Sequence, residues 1–120
     1  MTRRPRSVYD HGDEPDPRFS LANERTFLSW IRTSLALIAG AVAFAAVIPD
    51  LPHAARAVSC GALCMGALIC SLAGWRRWRH TELALRTGAP LPGSAPTATL
   101  AVSTAAAACV VVAWVAAMTW

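Results

Sequence analysis

The chain has 120 residues, 55% of them hydrophobic and 15% charged, with a formal net charge of +4. That is the length of one domain, and the composition is too apolar for a soluble domain of this size. All 11 basic residues are arginines, gathered mainly before the first apolar run and after the second, a pattern of membrane topology and not of nucleic-acid binding.

Residues 1–15 hold Arg3, Arg4, Arg6, Asp10, Asp13, Glu14 and two prolines among few apolar groups, so a disordered cytoplasmic tail is expected there. Asp16-Pro17 opens a helix, because aspartate caps free N–H groups and proline suits the first helical position. This first helix is expected over 17–48, with an amphipathic cytoplasmic N-terminal extension leading into an apolar run at 27–48. The run is too long, and the preceding tail too acidic, for a cleaved signal peptide. "PDLP" at 49–52 turns the chain. A second helix is expected over 53–86, uncharged from 57 to 75 and emerging from the membrane as "WRRWRHTELALR". "TGAPLPG" at 87–93 stops it, and a third helix is expected over 97–119.

Each apolar run is close to the ~20 residues that cross a bilayer core, and none has the polar face of a soluble bundle helix. The fold class is an all-α membrane protein with three transmembrane helices, spanning residues 16–120. The tail and the Arg76–Arg86 segment carry most of the arginines, whereas the 49–56 connection carries only Arg56. The positive-inside rule then puts the N-terminus in the cytoplasm and the C-terminus outside. Trp75, Trp78 and Trp120 mark the interfaces. Ala62, Gly66, Cys70 and Gly74, spaced by four, form a small-residue ridge of the kind along which membrane helices pack. Ala36 and Gly40 begin a shorter ridge on the first helix, and Ala101, Ala105, Cys109, Ala113 and Ala117 form one on the third.

Cys60, Cys64, Cys70 and Cys109 all fall within spans, where cysteine serves as a small apolar residue. No histidine lies in a span to complete a metal site with them, and His11, His53 and His80 form no cluster. No metal or cofactor is expected. Without a nucleophile–base pair or a phosphate-cradling glycine loop, the chain is not expected to be an enzyme.

The charges of the first helix follow a rule. Arg18, Arg25 and Arg32 are spaced by seven and share one face, drifting only about 20° per step. Ala22, Ser29, Ala36 and Gly40 continue that face. An arginine at the centre of a span costs about 2.5–3.5 kcal/mol. Arg32, five residues past Phe27, lies only about 7–8 Å deep and can snorkel toward the cytoplasm. Glu24 lies off the stripe and wants a partner. On the second helix Glu82 can pair with Arg79 or Arg86, three and four residues away. Anion binding by Arg18, Arg25, Arg32, Arg79 and Arg86 is one reading, with Glu24 and Glu82 as ion-pairing acids; interfacial anchoring is the other.

"RFSLANERTFLSWIRTSLALIAGAVAF" resembles the opening of the YidH-like bacterial inner-membrane family, known as domain of unknown function 202. The core "LANERTFLSWIRTSLALI" is close to that family's signature, and the likeness extends over residues 16–120. The resemblance implies a bacterial inner-membrane protein. The same domain is similar to the membrane part of the vacuolar transporter chaperone complex, which implies an oligomer with a basic path for polyphosphate. In that likeness Arg18 and Arg25 match basic positions of the path, Glu24 the acid beside them, and Arg86 a basic position after the second span. The complex's polymerase and phosphate-sensing domains have no counterpart in these 120 residues, so polyphosphate synthesis is not expected of them.

The expected function is therefore that of a small integral membrane protein, oligomeric, binding or conducting phosphate or polyphosphate. The alternative is a structural or regulatory membrane subunit whose arginines only anchor it. The expected partners are the lipid bilayer, further copies or a membrane protein, and an anionic ligand, with no role for nucleic acid.

Overall fold

The structure, a computed structural model, describes residues 4–47 and 52–93 together with positions 101, 104, 105 and 108. Its elements are α1 (Arg6–Tyr9), α2 (Pro17–Val47) and α3 (His53–Thr87). The third expected span and its small-residue ridge lie almost wholly outside the described residues, as does Trp120.

The start of α2 follows the sequence signal. With Pro17 in the first helical position, Asp16 Oδ1 accepts the Arg18 N–H at 2.9 Å and its carbonyl accepts the Phe19 N–H at 3.0 Å. α3 ends where Gly88 adopts the left-handed conformation (φ 66°) and the Ala89 N–H reaches back to the Ala84 carbonyl at 3.0 Å, a glycine stop of the kind that satisfies the last carbonyls. With 31 and 35 residues, α2 and α3 are about 46 and 52 Å long. Both are long and apolar enough to cross a membrane, and both exceed the ~30 Å hydrocarbon core.

The two helices pack antiparallel. Asn23 meets Trp78 and Glu82, Ser34 meets Ala67 and Ser71, and Ala41 meets Cys60. The α2 side of this seam is Ser20, Asn23, Phe27, Trp30, Ser34, Leu37 and Ala41, every one buried or half-buried. Steps of three and four residues alternate along it, the spacing of left-handed antiparallel packing. The helices come close at Gly74, where a Cβ would stand 2.7 Å from Trp30 Cβ. The backbone can come this near only because glycine has no side chain there.

The small-residue ridges fit this seam only in part. Cys70 and Gly74 are buried and Gly66 sits against Leu37, but Ala62 is exposed. On α2, Ala36 and Gly40 are exposed and a Cβ at Gly40 would meet nothing within 4 Å. Residues spaced by four turn about 40° per step, twice the drift of a seven-residue repeat, so a ridge of fours soon leaves the contact line.

The segment read as a disordered tail has described structure from Arg4 onward. α1 forms one turn, Val8 is fully buried, and α1 contacts α3.

Candidate functional site

At the end of the hairpin that holds the α2 start and the α3 finish, a buried polar node is built around Glu82. One carboxylate oxygen, Oε1, accepts the Ser20 hydroxyl at 3.0 Å and lies 3.7 Å from Arg86 Nε. The other, Oε2, accepts Asn23 Nδ2 at 3.1 Å. The same Asn23 amide nitrogen donates to the Trp78 carbonyl at 3.1 Å. The Glu82 and Arg86 side chains are 3% and 6% exposed, so this is an interior ion pair and not a surface one.

The N-terminal segment closes the node from the other side. The Tyr9 ring lies 4.6 Å from the Arg86 guanidinium carbon, in range of a cation–π contact. The Asp13 N–H donates to the Arg86 carbonyl at 3.1 Å. Gly12, at φ 68°, lies so close to that carbonyl that a Cβ there would collide with it. Beneath the node Phe27, Trp75 and Trp78 form an aromatic cluster, Trp75 and Trp78 stacked with centroids 5.2 Å apart and Phe27 edge-on to Trp75 at 6.4 Å and tilted against Trp78 at 6.5 Å. Deeper in the seam a short polar chain follows: Ser71 Oγ donates to Ser34 Oγ at 2.9 Å, and Ser34 Oγ donates to the Ala67 carbonyl at 2.8 Å.

The sequence-expected residues thus divide. Glu82 and Arg86 come together, and Arg86 faces inward to Glu82 and Tyr9. Arg79, the other expected partner of Glu82, is exposed. Arg18, Arg25 and Arg32 are all exposed on the side of α2 turned away from α3, and Glu24 is exposed between that stripe and the seam. Arg18 reaches Asp16 at 4.0 Å with 91% of its side chain exposed, a contact of little strength. Among the described residues neither Arg25 nor Arg32 has an ion-pair partner. Sequence reasoning missed Tyr9, Ser20, Asn23 and Ser34. The signal that could have found the last three is their place in the three-four repeat with Phe27, Trp30 and Leu37. No cluster of three or more potential metal ligands occurs among the described residues.

Two long apolar helices joined through a polar and aromatic seam, with cations concentrated at one end, define a small all-α membrane protein. A family model described as "Domain of unknown function (DUF202)" matches residues 18–84. The inner membrane protein YidH of Escherichia coli K12 is 42% identical over 82 residues, covering 68% of this chain and 71% of that protein. The uncharacterized protein Rv2272 of Mycobacterium tuberculosis H37Rv is 48% identical over 80 residues, covering 66% of each. The chain thus spans just under two thirds of the length of that mycobacterial relative. No solved structure matches. The chain belongs to the DUF202 family, whose matched region takes in the whole of the seam from Asn23 to Glu82.

Proposed function

We propose that this protein is a multi-pass inner-membrane protein, N-terminus in the cytoplasm and C-terminus outside, that assembles as a homo-oligomer and binds an inorganic anion through Arg18, Arg25 and Arg32. The observation that carries the reading is the exposure of all three guanidiniums on the α2 face opposite α3, two of them without an acid among the described residues. Unpaired guanidiniums at an interface are suited to phosphate, which they bind in bidentate fashion. The likeness of the first-helix motif to the membrane part of the vacuolar transporter chaperone complex supports phosphate or polyphosphate as the anion. Three helices cannot enclose a pore, so conduction in this reading requires several copies. Arg79 is available to the same anion; Arg86 is held by Glu82 and serves the fold. Neither catalysis nor a cofactor enters this reading.

The test is reconstitution in liposomes, with phosphate and short-chain polyphosphate as probes and oligomer size measured in nanodiscs. Binding or flux that falls in Arg25→Ala supports the proposal. A monomer that neither binds nor passes either anion removes it. The second reading, a structural or regulatory subunit anchored by its arginines, is favoured by the same exposure, since guanidiniums at this depth reach lipid headgroups. It predicts that Arg25→Lys behaves as wild type and that a protein partner is held by both.

A further inference from the structure

The last part of α3 carries a second polar surface, separate from the node and from the arginine stripe. Ile69, Leu72, Ala73, Arg76, Arg77 and His80 line a single crevice of about 470 Å3. Their spacing of three, one, three, one and three residues is a straight helical stripe, about 16 Å long. Its composition changes sharply along its length. The half nearer the middle of α3 is aliphatic, with Ile69 and Leu72 more than half exposed. The half nearer the end is two guanidiniums and an imidazole. His80 follows Arg76 by four residues and Arg77 by three, so all three project from adjacent turns on one side. Pro92, from the segment after the helix, lies against the crevice.

Two guanidinium nitrogens, Arg77 Nη1 and Arg86 Nε, are buried without a hydrogen-bond partner. Arg86 Nε still has the Glu82 carboxylate 3.7 Å away, whereas Arg77 has no acid among the described residues. A buried donor left unpaired is costly, and a cationic one calls for an anion. Glu82, the acid next along α3, already accepts Ser20 and Asn23 and lies beside Arg86. The remaining requirement is a ligand with a negative head and an apolar tail, aligned along the helix axis.

We propose that this crevice holds an anionic glycerophospholipid of the leaflet at the arginine-rich end, its phosphate on Arg76, Arg77 and His80 and an acyl chain along Ile69, Leu72 and Ala73. The charge complementarity and the order of the two halves argue for a lipid. A free phosphate would leave the aliphatic half unused, and a zwitterionic lipid would bring its own ammonium against Arg76, Arg77 and His80. The site is independent of Arg25 and of the anion binding proposed above.

The test is native mass spectrometry of the full chain released from nanodiscs of mixed phosphatidylglycerol and phosphatidylethanolamine, with variants R76Q/R77Q and A73W. The first removes the charges; the second keeps every charge and fills the aliphatic half. The expected result is selective retention of phosphatidylglycerol by wild type and by R25A. Retention falls roughly tenfold or more in R76Q/R77Q and comparably in A73W. If the double variant fails to insert, A73W alone decides. Unselective or absent retention by wild type overturns the proposal. So does wild-type retention in A73W, which would mean a diffuse charge effect, and so does displacement of the lipid by inorganic phosphate.

Discussion

α2 carries two polar surfaces that solve opposite problems. Toward α3, Ser20, Asn23 and Ser34 are enclosed and each finds a partner on α3, down to Glu82. Away from α3, Arg18, Arg25 and Arg32 are exposed. Along the inner surface, polar groups hold two helices together where lipid supplies no hydrophobic drive. Along the outer surface, charge is left for something other than the hairpin. Burial, and not polarity, separates residues that build this protein from residues free to act for it.

The difference should appear first in stability. Glu82→Ala leaves the interior Arg86 without its acid and is expected to cost about 3–5 kcal/mol. Glu24→Ala, at an exposed acid on the same helix as the stripe, should lie within about 0.5 kcal/mol of wild type. Thermal unfolding of the two variants in one detergent measures the gap, and equal losses would mean that the node is not what holds the hairpin.

Next comes Gly74→Ala, where the added methyl meets Trp30 Cβ and overpacking should cost about 1–3 kcal/mol. Gly66→Ala meets Leu37 Cδ1 only at 3.5 Å, an ordinary contact, and is expected to be neutral or slightly stabilising. Ser34→Ala removes the donor to the Ala67 carbonyl and the acceptor for Ser71. Its expected cost is about 0.6 kcal/mol, the typical worth of such a bond in a membrane helix pair. Smallest in stability is Arg25→Ala, within about 0.5 kcal/mol, although it should reduce phosphate or polyphosphate binding measurably. A large stability loss in that variant would move Arg25 from the outer surface to an interface that holds copies together.

The local features of the fold were readable from the sequence. Asp16-Pro17 starts α2 and the glycine after Thr87 ends α3, because caps are short-range chemistry. The shared face of Arg18, Arg25 and Arg32 was readable for the same reason, since a seven-residue spacing fixes direction without reference to any neighbour. Glu82–Arg86 was one of two pairings the spacing allowed. Which one forms is decided by Ser20, Asn23 and Tyr9, which approach from distant parts of the chain. No local pattern announces such contacts. Val8 is the clearest case: its segment has the composition of a disordered tail, yet it is fully buried. The ridge of small residues misled at Ala62, Ala36 and Gly40 because it was traced in fours, whereas the contact line alternates threes and fours.

The tie between the N-terminal segment and Arg86 bears on the order in which the chain is assembled. Tyr9, Gly12 and Asp13 precede both long helices in the chain, but all three rest on Arg86, near the far end of α3. Until both α2 and α3 have been synthesised and paired, that segment has no place to bind. Its docking therefore marks the completion of the hairpin. A protease added during translation should cut beside Val8 and Tyr9 readily while the hairpin is incomplete and more slowly afterwards, once Val8 is buried.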